Sequence, residues 1–386
     1  MKKIAFIQSF NINQKAGGAV IINKLIESSR KNGFDSYLLV DENEVPSEFQ
    51  NKVHEKTYFF KRLSTKKGPI LRHLNYLRLY FNFDKTGSNS ITTILEKINP
   101  DIIHIVAHGE AFPLYLNAAK KFSKAQIRIS VHDLWPLTIS NRFPKFVHNY
   151  VFNEGLKAAS VVFPISDEMA IYLNEKYKVI CTQPVYDAFE YHPQPARESI
   201  NEKIKILYAG NLNPEQKTLL TELISNVIHS QNDKFQFIIC SNDKIEISDP
   251  NNAVLNLGWV NPMELQKIAE TCDYGIMALS FGAKSQLFNQ TSFMTKVPFY
   301  LNMRLPIIYL GPRNTSAANF IKKNDVGILY ENLPTSSFSN FVLEFHNGRS
   351  KNELTSKIEN CLMSEFNIDT IAKRFYISSH DYKSKA

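Results

Sequence analysis

The sequence predicts two doubly wound α/β domains in tandem, and three observations support this prediction. Apolar runs of strand length alternate with segments of helical periodicity along most of the chain. A stretch rich in proline and polar residues, 182–195, interrupts this alternation near the middle of the chain, as a linker between domains does. The chain has 386 residues, which is more than one hydrophobic core usually organises.

The first domain, expected over residues 1–185, begins with a βαβ unit. The loop after its first strand contains Gly17 and Gly18, directly before the first helix. A second set of strands and a helix follows the same alternation. The predicted strands are 3–10, 36–40, 102–106, 127–131 and 158–165, and the predicted helices are 19–31 and 111–122.

The second domain, expected over residues 196–386, repeats the pattern after the linker. Its last helix is expected to pack back on the first domain. The predicted strands are 204–209, 235–240, 254–257, 274–279 and 305–310, and the predicted helices are 218–230, 264–271 and 298–303.

Composition favours an anionic partner. The chain carries 45 Lys and Arg against 37 Asp and Glu, a net charge of +8, which suits phosphates, anionic lipid or nucleic acid. Nucleic acid is not expected, because no recognition motif accompanies the charge. The four cysteines lack the spacing of a disulfide framework or a zinc site, and no apolar run has the length of a signal or membrane-spanning segment. A cytoplasmic protein is therefore expected.

Four short segments are candidates for binding an anion or a polar substrate, because each follows a predicted strand or opens a helix. Each also has a structural interpretation, such as a tight turn, a solvated lysine or a buried histidine. No Asp-x-Asp pair is present, so neither a bound metal nor any other cofactor is expected, and lysines would have to neutralise a diphosphate. The segments are Gly17–Gly18, His132–Asp133, the stretch 208–220 with Gly210 and Lys217, and Thr295–Lys296.

The segment 61–81 is basic and amphipathic. Ile70, Leu74, Leu77 and Phe81 share one helical face, and lysines and arginines surround that face. Such a helix lies on anionic lipid in many proteins, which would place this one on the inner face of the cell membrane. The alternative is an ordinary helix that packs its apolar face on the core.

The chain resembles the GT-B glycosyltransferases, in particular the retaining group called family four. The resemblance covers nearly the whole chain. It is carried by the Gly17–Gly18 turn and by the segments DIIHIVAHG (101–109), VHDLWPLT (131–138), PISDEM (164–169), LYAGNLNPEQK (207–217), LGWVNPMEL (257–265), CDYGIMALSF (272–281), TKVPFYLNMRLPII (295–308) and AANFIKKNDVGILYEN (317–332).

The resemblance implies two Rossmann-like domains that face a cleft. The second domain would bind a nucleotide-diphospho-sugar, most simply a UDP-sugar, and the first would bind a glycan or glycolipid acceptor. Lys217 would contact the diphosphate, and His132 and Asp133 would lie near the transferred sugar. The other residues implied in donor binding are Gly17, Gly18, Gly210, Asn211, Trp259, Val260, Ser280, Thr295, Lys296 and Tyr300.

Two departures from the family pattern bear on function. Family members commonly carry arginine where this chain has Asn211, and glutamate where it has Phe299. The resemblance implies a retaining hexosyltransferase of surface polysaccharide or glycoconjugate synthesis. The departures leave two alternatives open, a non-catalytic subunit that supports a partner glycosyltransferase and a sugar-nucleotide epimerase. The sequence is also compatible with a homo-oligomer.

Overall fold

A computed structural model describes most of the chain, as two α/β units. It describes residues 1–8, 18–42, 56–62, 69–81, 85–122, 124–139, 142–193, 202–230, 233–248, 252–282, 286–331 and 337–377. The first unit comprises residues 1–188, 291–293 and the C-terminal residues from Ile368, and the second comprises 189–290 and 294–367. No helix in the described ranges is long and apolar enough to cross a membrane.

The first unit contains a parallel sheet of six described strands in the order β3-β2-β1-β4-β5-β6. The strand order reverses between β1 and β4, the position at which doubly wound sheets place their ligands. The strands are β1 (Lys2–Gln8), β2 (Phe34–Asp41), β3 (Thr57–Phe60), β4 (Ile102–Val106), β5 (Gln126–Val131) and β6 (Val161–Pro164). The helices are α1 (Gly18–Ser28), α2 (Pro69–Tyr80), α3 (Lys85–Ile98), α4 (Phe112–Lys121), α5 (Arg142–Ala158), α6 (Asp167–Tyr177) and α14 (Ile368–Ile377).

The second unit repeats this topology with a parallel sheet in the order β12-β11-β10-β7-β8-β9, which reverses between β7 and β10. The strands are β7 (Ile204–Ala209), β8 (Phe235–Cys240), β9 (Val254–Asn256), β10 (Tyr274–Ala278), β11 (Ile307–Leu310) and β12 (Gly327–Tyr330). The helices are α7 (Pro214–His229), α8 (Pro262–Glu270), α9 (Gln286–Thr291), α10 (Lys296–Asn302), α11 (Ser316–Asn324), α12 (Phe338–Gly348) and α13 (Lys351–Cys361), followed by a π-helical turn, Leu362–Phe366.

The central strands of both sheets are buried on two faces, which explains why they read as continuous apolar runs in the sequence. Every residue of β4, β10 and β11 is buried. In the first unit α14 covers the sheet near β1, where the Phe375 ring stacks on Phe6 at 5.8 Å and contacts the His104 ring at 4.8 Å. The Tyr376 hydroxyl donates to the Leu25 carbonyl of α1 over 2.6 Å.

Helix α2 packs by a different face from the one that its amphipathic pattern suggests for a core helix. Among the side chains of α2 that the structure describes, Tyr76 and Leu79 are the buried ones, 1% and 4% exposed. Leu74 and Phe81, which belong to the predicted apolar face, are 55% and 60% exposed. Leu74 and Phe81 of the predicted apolar face are therefore directed to solvent, Leu77 is half-buried, and α2 packs on the core through Tyr76 and Leu79.

Candidate functional site

The loop after β7, at the reversal of strand order in the second unit, forms a small basic site. Gly210 has a φ of 112°, a conformation that favours glycine. A Cβ at this position would lie 3.2 Å from Cε of Lys296. The side chain of Lys296, at the first position of α10, therefore passes directly beside the exposed Gly210 backbone.

Tyr208 positions both the loop and this lysine. Its hydroxyl donates to the Asn211 carbonyl over 2.8 Å and accepts a hydrogen bond from Nζ of Lys296. The same Nζ lies 3.9 Å from the centroid of the Tyr208 ring, within the range of a cation–π contact. The tyrosine thus holds the lysine amine at the carboxyl end of the sheet.

Burial lowers the pKa of Lys296 from its ordinary 10.5 to about 7. The cause is desolvation, because the ammonium form loses hydration and no carboxylate in the described ranges forms an ion pair with it. An anion that binds beside such a desolvated lysine stabilises its ammonium form. The sequence marks Lys296 as a candidate but carries no signal for this pKa shift.

The N-terminus of α7 also points to this carboxyl edge. Asn213 caps the helix, and its side chain accepts from the Gln216 amide over 2.8 Å in a complete capping box. The helix begins at Pro214, four residues before the predicted start, because this cap and the proline at the first position fix it there. Lys217 is the fourth residue of the helix and half-buried, and Asn211 in the preceding loop is exposed.

Tyr300 has a structural role that the sequence interpretation did not foresee. It was expected to contact the donor, but it is completely buried in the described fold. Its hydroxyl accepts from the Ala209 amide and donates to the Ile276 carbonyl, both over 3.0 Å. It therefore links the end of β7 to the middle of β10 and presents no surface to a ligand.

A pocket of about 250 Å³ lies beyond the ends of β10 and β11. Ser280 is one of its walls, and the Ser280 hydroxyl accepts from the Gly282 amide over 2.9 Å. Thr315, another wall, caps α11 through a 3.1 Å hydrogen bond from the Ala318 amide. The pocket is rich in side-chain amides, which suit the hydroxyl groups of a sugar. Its lining is Ser280, Phe281, Gly282, Gln286, Asn289, Gln290, Pro312, Arg313, Asn314 and Thr315.

The remaining candidates in this unit lie at the surface. Trp259 is 70% exposed and follows Gly258, whose φ is 72°. Val260 is half-buried, and Thr295 is exposed and makes no capping hydrogen bond to α10. The structure brings Gly210, Asn211 and Lys296 together through Tyr208, and no described contact joins Trp259, Val260 or Thr295 to them.

In the first unit, His132 and Asp133 directly follow β5. Burial, assisted by the nearby His108, lowers the pKa of His132 to about 4, so its imidazole is neutral at pH 7. Burial raises the pKa of Asp133, and a 3.0 Å hydrogen bond from the Ser292 hydroxyl opposes that shift. The ring of His108 lies 5.0 Å from that of Trp135. This end of β5 therefore holds polar groups in a desolvated environment.

Gln8 and Ser292 were missed by sequence reasoning. Gln8 ends β1, beside the reversal of strand order, and is completely buried. Neither atom of its amide has a partner among the residues that the structure describes. A polar residue directly after the buried apolar run 4–7 is the signal that could have indicated it. Gly17 lies outside the described residues, and Gly18 is the first residue of α1.

Known proteins share this fold without close sequence similarity. No family model and no curated protein matches the chain. Sucrose-phosphate synthase from Thermosynechococcus elongatus is 13% identical, with a TM-score of 0.67 over 100% of both chains. Anabaena HepE, solved in complex with UDP and glucose, is 13% identical, with a TM-score of 0.65 over 98% of this chain and 99% of its own. A UDP-N-acetylglucosamine 2-epimerase is 11% identical, with a TM-score of 0.56 over 100% of this chain and 98% of its own.

The fold is therefore that of the GT-B proteins, with two Rossmann-like units. The sequence predicted this fold class correctly.

Proposed function

We propose that this protein is a retaining glycosyltransferase that uses a nucleotide-diphospho-sugar. The observation that carries the proposal is the position of Lys296, whose desolvated amine lies beside the exposed Gly210 turn at the switch point of the second sheet. A diphosphate placed against this turn would meet the amine and the N-terminus of α7 together. UDP is the nucleotide we favour, because it is the one bound in the HepE structure.

Such a site would promote transfer by stabilising the leaving group. When the anomeric C–O bond breaks, negative charge grows on the diphosphate. The cations and helix dipole at the Gly210 turn stabilise that growing charge more than they stabilise the ground state. Lys296 is placed for this role by Tyr208, and Lys217 is the second cation we assign to it.

We assign the transferred sugar and its acceptor to His132 and Asp133. The neutral His132 imidazole can donate to and accept from sugar hydroxyl groups without a charge of its own. No carboxylate nucleophile follows from the sequence, so attack by the acceptor hydroxyl from the side of the leaving group is the more economical retaining route. The acceptor class is a glycan, a lipid-linked saccharide or a glycoprotein, in surface polysaccharide or glycoconjugate synthesis.

A sugar-nucleotide epimerase is the second candidate, because a UDP-N-acetylglucosamine 2-epimerase has the same fold over the full chain. The two activities differ in their products. A transferase releases the nucleotide diphosphate and needs an acceptor for full turnover. An epimerase converts one sugar nucleotide to another, and this reaction does not depend on a glycan acceptor.

The deciding experiment is incubation with a panel of sugar nucleotides, with and without glycan acceptors. Nucleotide diphosphate release and the sugar-nucleotide composition are both followed by chromatography. We expect release of UDP from one donor, faster with an acceptor. A new sugar nucleotide without UDP release would establish the epimerase instead. UDP binding without turnover on any donor would indicate a non-catalytic subunit.

A further inference from the structure

Two neighbouring helices of the first unit expose large apolar side chains. On α2 and directly after it these are Leu74 and Phe81, which are 55% and 60% exposed. On α5 these are Phe146 and Tyr150, which are 68% and 48% exposed. Exposed apolar residues that occur singly need no explanation, but a group of them on adjacent helices usually marks an interaction surface.

The rings join the two helices into one surface. The Tyr80 ring contacts Phe81 at 5.1 Å and Tyr150 at 5.8 Å between centroids, both edge-to-face. Phe146 and Tyr150 are four residues apart, so they share one side of α5. We refer to Leu74, Tyr80, Phe81, Phe146 and Tyr150 as the α2–α5 surface.

This surface is additional to the faces by which both helices pack on the core. Tyr76 of α2 is buried and stacks on His148 of α5, with 3.4 Å between ring centroids. Val151 and Phe152 of α5 are buried as well, 0% and 2% exposed. Each helix thus buries one side against the core through residues other than the exposed ones.

The charges around the surface are mainly positive. Arg78 lies between Leu74 and Phe81 on α2, and Lys145 precedes Phe146 on α5. Among the side chains that the structure describes on these two helices, the one carboxylate is Glu154. It lies 3.9 Å from Lys120 and 3.7 Å from Lys157, which offset its charge.

We propose that the α2–α5 surface binds the surface of an anionic lipid bilayer. Aromatic rings are favoured at the boundary between headgroups and acyl chains, and the two tyrosines can keep their hydroxyl groups in the polar layer. Arg78 and Lys145 would contact the anionic headgroups at the same time. This combination of exposed rings and cations favours lipid over a second copy of the chain, whose own surface would bring the same cations together.

The test is co-sedimentation of the full chain with vesicles of phosphatidylcholine alone or with phosphatidylglycerol added. We expect binding to the mixed vesicles that weakens as salt rises. The double variant Phe81→Ser, Phe146→Ser should bind at least about tenfold more weakly, because it removes two large apolar side chains from the contact. The matched control is Ile171→Ser, Ile180→Ser, which removes two apolar residues that are 58% and 70% exposed elsewhere on the same unit. It should bind like the original protein.

Two further measurements complete the test. Melting temperatures of both double variants should match that of the original protein, because all four positions are exposed. The emission of a Phe146→Trp variant should shift to the blue when mixed vesicles are added. The proposal is overturned if the Phe81, Phe146 variant binds vesicles as the control does, or if neutral vesicles bind equally well. Loss of a dimer in the same variant, with vesicle binding unchanged, would assign the surface to self-association.

Discussion

At the scale of single residues, Lys296 is the residue on which the proposed diphosphate site depends. Its amine is held by the Tyr208 hydroxyl beside the Gly210 turn, and burial lowers its pKa to about 7. The folded state therefore disfavours the ammonium form. Below pH 7 the folded chain bears the full cost of this charge, and the cost is relieved as pH rises from 7 towards 10.5. An anion bound at the turn would offset the same cost.

The pH dependence of UDP binding tests this arrangement. Above pH 7 the Lys296 amine of the protein without UDP is mostly neutral, so binding of UDP has to be accompanied by uptake of a proton. We expect the Kd for UDP to rise by up to about tenfold per pH unit above pH 7. Titration calorimetry at pH 8 in two buffers with different ionisation heats should show proton uptake.

The Lys296→Met variant should bind UDP more weakly at pH 6.5 and lose the pH dependence above pH 7. Lys267, an exposed lysine of α8, provides the matched control. Lys267→Met should keep both the affinity and its pH dependence. If Lys296→Met and Lys267→Met gave the same curves, Lys296 would not contact the diphosphate.

Lys217 and Asn211 provide a second prediction at the residue scale. If Lys217 stabilises charge that grows on the leaving diphosphate, Lys217→Ala should lower kcat on the order of 10²–10³-fold and weaken donor binding less. Asn211 lies in the exposed loop before α7, so Asn211→Arg adds a cation there and should tighten UDP binding. Steady-state kinetics and nucleotide titration measure both. Unaltered kinetics in the first variant and unaltered affinity in the second would place the diphosphate on another loop.

At the scale of elements, Tyr300 explains how α10 holds the carboxyl end of the second sheet. The pairing of β10 with β7 stops at Gly275 and Leu207. Beyond that point the Tyr300 hydroxyl bonds to the Ala209 amide and the Ile276 carbonyl. Gly275 makes room for the ring, since a Cβ there would lie 2.5 Å from Cγ of Tyr300. One buried side chain thus substitutes for sheet hydrogen bonds at Ala209, the residue before the Gly210 turn.

Removal of this hydroxyl should destabilise the second unit. Tyr300→Phe leaves the Ala209 amide and the Ile276 carbonyl buried without their partner, and we expect a loss of about 1–3 kcal/mol in the free energy of unfolding. The control is Tyr330→Phe, which removes a 2.8 Å hydrogen bond to the hydroxyl of the exposed Ser337. Denaturant titration should show a much smaller loss for the control. Equal losses would mean that the strand link contributes no more than a surface hydrogen bond.

Some of these elements and contacts can be predicted from the sequence, and others cannot. The strands 102–106, 204–209 and 235–240 were predicted with the bounds that the structure has, because buried parallel strands are continuous apolar runs. The Tyr208 contact with Lys296 joins residues 88 positions apart, and local periodicity carries no signal for it. The orientation of α2 could not be predicted from sequence either, because an apolar helical face has the same sequence pattern whether it packs on the core or is exposed to solvent.

At the scale of the whole molecule, the two units repeat one topology. The repeated alternation of strands and helices was sufficient to predict the fold class from sequence. The candidate site was predicted as a set of loops, since the carboxyl ends of parallel strands lie at the same edge of a sheet. What each side chain does there depends on burial. Tyr300 is enclosed and Lys296 is desolvated, although the two lie four residues apart on one short helix.

The charge balance of the molecule leads to a prediction about metal ions. The chain has an excess of 8 positive charges and no Asp-x-Asp pair, the arrangement that most simply holds a divalent ion against a diphosphate. In its place the second unit offers Lys296 beside the Gly210 turn, and Lys217 and the N-terminus of α7 beyond it. If these groups neutralise the leaving group, sugar transfer should persist in EDTA at close to its full rate. The measurement is nucleotide release with the active donor in EDTA and after addition of excess Mg²⁺.

Lys217→Ala serves as the companion variant, because a site that relies on protein cations should respond to that substitution and not to the chelator. Complete loss of turnover in EDTA, restored by Mg²⁺, would show instead that a divalent ion carries the charge of the departing diphosphate.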